Sequence, residues 1–214
     1  YADRVQLHGM DRSDIALVLP DGRLGLSVRL PGLYNVYNAL AAVSAGWALG
    51  FSAPVLKQGV ESAVAAFGRI ERIAVQDKQV FLALVKNPIG FGEVLRTLFL
   101  DDASKDLVIL INDHFADGTD ISWLWDVDFE LLRGRVRSVV VAGTRAEDIQ
   151  LRLKYAGVEM QRVALIKDPQ AALGEGLRRI GSGETLYVLP TYTAMLKVRQ
   201  GMANMGYVGR FWED

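Results

Sequence analysis

Residues 106–132 read DLVILINDHFADGTDISWLWDVDFELL. The opening DLVILI lacks the polar alternation of a half-exposed strand. It predicts a strand buried on both faces, as in a parallel sheet. The next twenty-odd residues are opposite in character. Between Ile111 and Leu132 stand six carboxylates (Asp113, Asp117, Asp120, Asp126, Asp128 and Glu130), His114 and the indoles of Trp123 and Trp125, with no Lys or Arg. Open α/β sheets place their chemistry just beyond the carboxyl ends of their strands, and this segment falls there. Two indoles in a loop need a core or an interface to receive them.

Outward from this strand the rhythm repeats. Val80–Val85, Val136–Val141, Arg162–Leu165 and Thr185–Leu189 are further strand candidates, with helices expected over 90–100, 122–132, 144–155, 168–180 and 191–204. Asp168-Pro169 is a cap followed by a first-turn proline. The alternation predicts an α/β domain over residues 74–214, a Rossmann-like and mostly parallel sheet with helices on both faces. Residues 1–73 read differently. Residues 4–30 form short strands, with Asp21-Gly22 as a hairpin turn between IALVLP and LGLSVRL. Pro31-Gly32 breaks the pattern. Asn35–Leu49 is Ala-rich and apolar almost all round, which predicts a buried helix stopped by Gly50. A second helix is expected from Ser52 and Pro54 through Ala66. Two helices and a few strands make a thin core, so residues 1–73 are expected to be the tail of a larger domain, joined to the rest near Gly68–Arg72. The first residue is Tyr1, so the chain is expected to begin inside a longer protein.

Composition narrows the function. The 24 basic and 25 acidic residues balance, against a nucleic-acid footprint, which needs a basic excess on one face. With no Cys and only His8 and His114, thiol nucleophiles, disulfides and Cys- or His-rich metal sites are excluded. No apolar run is long enough for a transmembrane segment and no signal peptide opens the chain. Neither GxxxxGK[ST] nor GxGxxG occurs, so no complete triphosphate or dinucleotide site is present.

Several strand-end motifs carry candidate residues. Asn35 and Asn38, three apart at the start of an apolar helix, share a face where their amides suit an adenine edge. Asn35 equally suits a helix cap. Lys86 and Asn87, before Pro88, are candidate substrate or interface residues, or a plain turn. Thr144 and Glu147 suit a capping box, leaving Arg145 free for an anion or an acidic partner. Thr191 and Tyr192 come directly after the LYVLP strand. For the acidic segment three readings compete. They are Mg²⁺ binding, a solvated acidic loop, and an Asp that orients a histidine. The last needs a nucleophile and histidine on another chain.

Taken in order, LPGLYNVYNALAA, FGRIE, KNPIGFGEVLRTL, INDHFADGTDISWLWDVDFELL, GTRAEDIQLRLKYAGV and LPTYTAML resemble the C-terminal part of a Mur ligase, and most closely the MurT branch. The resemblance implies that 1–73 is the remnant of a Mur ligase central ATPase domain and 74–214 the MurT-type C-terminal domain. It implies a ligase, the glutamine-hydrolysing amidotransferase subunit that works at the cytoplasmic face of the membrane in peptidoglycan synthesis. That subunit uses ATP and Mg²⁺ to phosphorylate the α-carboxylate of D-glutamate in the lipid II stem peptide. A GatD-type glutaminase supplies ammonia, giving D-isoglutamine. It further implies that an Asp of this domain completes the glutaminase triad, with Asp126 the first choice and Asp120 and Asp128 behind it. Trp123 and Trp125 become interface anchors, and Asn35, Asn38 and Arg69 half of a nucleotide site. The P-loop half and zinc ribbon of that branch are absent here, so this stretch alone is expected to be inactive. Two other readings remain open, a partner-binding module without catalytic role and a generic Mur-type amino-acid ligase domain.

Overall fold

The computed structural model describes residues 1–63 and 70–209. These divide into two compact units, residues 1–63 with Arg96–Asp101, and the remainder.

In the first unit β1 (Ala2–His8), β2 (Arg12–Leu19) and β3 (Gly22–Val28) form an antiparallel meander. The alternation of β2 and β3 buries Ile15, Leu17, Leu24, Leu26 and Val28 on one face. Against that face pack α1 (Leu33–Ala48) and α2 (Ala53–Glu61), through Val36, Ala39, Val43 and Leu56. The helix expected to be buried all round is buried on one face only, with Tyr37, Ala41, Ala42 and Ala45 exposed. The unit has one small sheet, and a helix lying on one sheet covers one stripe of itself. α2 ends at Glu61 with Ser62 as its C-cap, short of the expected end, and residues 64–66 of the expected span, with Arg69, lie outside the described residues.

The second unit holds a six-stranded sheet in the order β4-β5-β9-β6-β7-β8. Its strands are β4 (Glu71–Val75), β5 (Lys78–Leu82), β6 (Lys105–Leu110), β7 (Val136–Ala142), β8 (Val163–Leu165) and β9 (Thr185–Pro190). All pairings are parallel except the β4–β5 hairpin at one edge. β6 is buried along its whole length, as its unbroken aliphatic run requires for a strand covered on both faces. Val108 and Leu110 join the residues of α5 (Pro169–Arg179) and α6 (Tyr192–Asn204) in one core cluster. α3 (Pro88–Leu98) and α4 (Ala146–Tyr155) complete the helices. Phe91 of α3 meets Phe129 edge-on, ring centroids 5.0 Å apart. Asp168 accepts the Ala171 N–H at 2.8 Å and so caps α5, as Asp168-Pro169 predicts.

No α-helix forms over 122–132. The chain makes two 3₁₀ turns, Ser122–Asp126 and Phe129–Leu132, separated by an extended Val127 (ψ 135°). Asp and a β-branched Val are weak helix formers. The Val127 carbonyl is also taken by Arg152 Nη2 at 2.8 Å, whereas a helical carbonyl would point along its axis. Among the described residues no helix is long and apolar enough to cross a membrane.

Candidate functional site

The carboxyl ends of β6, β7 and β9 are tied together by Asn112, the residue after Ile111. Its backbone N–H donates to Thr191 Oγ1 at 3.0 Å. Its Nδ2 donates to Thr193 Oγ1 at 2.8 Å, and its Oδ1 accepts the Thr144 N–H at 3.0 Å. Asn112 and Thr191 are buried, so each polar atom needs such a partner. Gly143, at φ 92°, lets β7 turn here, because a Cβ would stand 2.4 Å from the Ile111 carbonyl oxygen.

From this platform the acidic segment leaves, and four of its carboxylates are already engaged. Asp113 accepts the Thr144 hydroxyl and Arg145 Nε, both at 2.8 Å. The Thr144 hydroxyl, then the Arg145 guanidinium, hold its carboxyl below the usual aspartate range. Asp117 accepts the Thr193 N–H at 2.7 Å and the Thr193 hydroxyl at 2.6 Å. Asp120 accepts the Ser122 N–H at 2.8 Å, which lowers its pKa. Glu130 takes a two-pronged pair from Arg152, at 2.9 Å on each oxygen, and that guanidinium lowers the Glu130 pKa. Asp126 and Asp128 are exposed. Among the described residues they are the two carboxylates of the segment with no hydrogen bond or ion pair. No group of three or more Asp, Glu or His side chains among the described residues converges on a common point.

The two indoles part company. Trp123 turns inward toward Phe91, ring centroids 6.4 Å apart. Trp125 is 53% exposed and meets Tyr155 edge-on at 5.6 Å. With Leu151, also exposed, these rings make an apolar patch beside Asp126. Phe115, 97% exposed, stands on the loop that Asp113 and Asp117 brace at either end.

Other expectations fare variously. Arg145 is not free, because Asp113 holds it, and the Thr144–Glu147 capping box does not form. Arg145 occupies the cap position of α4, Thr144 serves Asp113, and Glu147 pairs with Lys167. The cause is long-range, since Asp113 is a stronger partner for Thr144 than a helix N–H. Asn87 accepts the Gly90 N–H at 2.7 Å, while Lys86 is exposed. Thr191 is spent on Asn112, and Tyr192 is exposed beside it.

In the first unit Asn35 does not cap α1. Gly32 holds that position, and buried Asn35 donates to the Pro31 carbonyl at 2.8 Å. Asn38 donates to Asn35 Oδ1 at 3.2 Å. Both line one end of a cavity of about 420 Å³, otherwise walled by apolar groups such as Leu30, Ala42, Phe51 and Val55. Asn35 is buried with one N–H and one lone pair used within the chain, and exposed Asn38 keeps its carbonyl oxygen and one N–H for a ligand.

The acidic segment, the Asn112 platform and α4 all fall within residues 84–195, which match the MurT ligase C-terminal family. The chain belongs to the MurT family. It is 35% identical over 180 residues to the lipid II isoglutaminyl synthase (glutamine-hydrolyzing) subunit MurT of Streptococcus pneumoniae, covering 83% of this chain and 39% of that protein. It is 39% identical over 134 residues to the subunit of the same name from Staphylococcus aureus strain COL, covering 62% and 31%. The chain thus spans about two fifths or less of these relatives. In fold it is similar to MurF from Acinetobacter baumannii, with a TM-score of 0.73 and 21% identity over 95% of this chain and 44% of that one.

The features that sequence reasoning did not reach are Asn112, the Asp117 cap and Arg152. Asp117 and Thr193 are 76 residues apart, and Glu130 and Arg152 are 22 apart. No local pattern marks such pairs.

Proposed function

We propose that this chain is part of a lipid II isoglutaminyl synthase, and that its second unit docks a GatD-type glutaminase and lends it a carboxylate from Asp126 or Asp128. The observation that carries the reading is the pairing of two unclaimed, exposed carboxylates with the exposed Trp125–Tyr155 patch. Carboxylates already engaged in-chain, such as Asp117, are held in place by a hydrogen bond on each oxygen. Asp120 keeps one oxygen and ranks third. An exposed aromatic pair is the usual anchor of a protein interface. At the partner, the lent carboxylate accepts the Nδ1–H of the glutaminase histidine. It fixes that ring's tautomer and stabilises its charged form while a nucleophile attacks glutamine.

The whole enzyme would then amidate the α-carboxylate of D-glutamate in lipid II to D-isoglutamine, at the cytoplasmic face of the membrane. In this reading the first unit is the end of a Mur ligase central domain. The open face of α1, with Tyr37, Ala41 and Ala45 exposed, is where the remainder of that domain packs. Asn38 and the apolar cavity suit one edge and one face of an adenine ring. When bound, ATP with Mg²⁺ supplies the phosphoryl group that activates the carboxylate. Lys86 and Tyr192, exposed at strand ends, are the remaining candidates to meet substrate or partner.

The test is glutamine hydrolysis by the complex carrying Asp126→Asn or Asp128→Asn. One of them is expected to lower kcat steeply, toward the roughly 10⁴-fold of a triad Asp→Asn change, with binding of the partner retained. Full turnover in both variants, with binding intact, leaves the second reading, a docking module built on the same Trp125–Tyr155 patch.

A further inference from the structure

Arg152 lies on α4 and is 4% exposed, an unusual place for a guanidinium. Its contacts converge on one short stretch. Nη1 and Nη2 take the two Glu130 oxygens, and Nη2 also takes the Val127 carbonyl. Its guanidinium carbon stands 5.7 Å from the Trp125 ring centroid and 5.4 Å from that of Phe129. Arg152 therefore touches Trp125, Val127, Phe129 and Glu130, and between these contacts Asp126 and Asp128 stand exposed. Val127, extended between two 3₁₀ turns, has no helical ladder to hold it.

Stability alone does not account for this choice. Its partner Glu130 is 55% exposed, and a pair open to water on one side adds little to stability. Arg152 even leaves its Nε without a partner among the described residues. What a planar fork adds is direction, fixing a carboxylate, a carbonyl and two rings at once, which Lys cannot do.

We propose that Arg152 is a positioning residue, which sets the backbone on either side of Val127 so that the lent carboxylate meets the glutaminase histidine in register. This rests on the reading that Asp126 or Asp128 acts in the partner's site.

The experiment uses the full-length subunit in complex with its glutaminase. Arg152→Met, Arg152→Lys and Glu130→Gln are each made alone and together with the Asp→Asn change that lowers turnover. The readouts are kcat and KM for glutamine, partner affinity and the unfolding midpoint. Arg152→Met is expected to keep affinity and KM while kcat falls by about 10²-fold, the scale of a misplaced catalytic group, with a lower midpoint because the buried Val127 carbonyl loses its donor. Arg152→Lys is expected to restore only part of this. Combined with Asp→Asn, the Arg152→Met loss should vanish, because the two act through one group. Should Arg152→Met fail to fold, Glu130→Gln, on the exposed side of the pair, is expected to show the same pattern more weakly. Wild-type kcat in every Arg152 and Glu130 variant, or losses that multiply with Asp→Asn, would overturn the positioning role while leaving the lent carboxylate intact. Wild-type kcat in both Asp→Asn variants would instead remove the reading beneath it.

Discussion

Asp117 holds Thr193 by two bonds at once, accepting its backbone N–H at 2.7 Å and its hydroxyl at 2.6 Å. A residue of the acidic loop thus caps α6, an element 76 positions further along the chain. The Thr193 hydroxyl also accepts from Asn112, so cap and strand-end platform form one network. The loop bearing exposed Phe115 is pinned at both ends by these bonds.

Asp117→Ala removes the cap. The expected cost is about 1 kcal/mol, the usual size for a lost N-cap. In a domain of this size that lowers the unfolding midpoint by about 2–4 °C. Thermal unfolding followed by circular dichroism checks it, and Asp117→Asn, which keeps one acceptor, should lose less.

Asn112→Ala should be worse. It strands the part-buried Thr144 N–H and removes a donor to Thr193, beside the buried Asn112 position. Each unsatisfied buried group costs about 1–3 kcal/mol. Urea titration should show a lower midpoint at unchanged slope, since the surface exposed on unfolding is the same.

Gly143→Ala tests the β7 turn. At φ 92° a Cβ would lie 2.4 Å from the Ile111 carbonyl oxygen and 2.7 Å from Asn112 Oδ1. Neither belongs to a long flexible side chain that can swing away. A loss of at least about 1–3 kcal/mol is expected from the strained backbone alone, read as reduced soluble yield and a lower midpoint. Ala at exposed Gly174, where a Cβ meets nothing within 4 Å, serves as the control.

Glu175 predicts the acid limb of stability. It accepts from Arg178 and Arg179 on α5, and these guanidinium groups lower its pKa from 4.5 to about 2. A folded pKa below the unfolded one favours the native state above the unfolded value. That contribution is lost as pH falls through the folded value. Stability should therefore decline between about pH 4.5 and about pH 2. Glu175→Gln should make that decline shallower while lowering stability at pH 7, measured as unfolding midpoints across the range.

The sheet was legible where one strand carries its own environment. The aliphatic runs of β6 and β7 announce burial on both faces, and Asp168-Pro169 marks the start of α5. The antiparallel β4 at the edge and the place of β9 between β5 and β6 are decided by pairing, which no local pattern encodes. The helix expected over 122–132 failed for a related reason, since Arg152 claims the carbonyl that a helix would have used. Arg145 was expected to be free because its partner Asp113 is 32 positions away. Within the acidic segment composition marked the right region. Separating Asp126 and Asp128 from their engaged neighbours required knowing which carboxylates the fold already uses.

The most direct measurement is glutamine hydrolysis by a GatD-type glutaminase as this chain is titrated in, with binding followed in parallel. Saturable binding accompanied by a rise in kcat is the expected result. Binding without any rise, or no binding, would contradict the lending of a carboxylate by this domain.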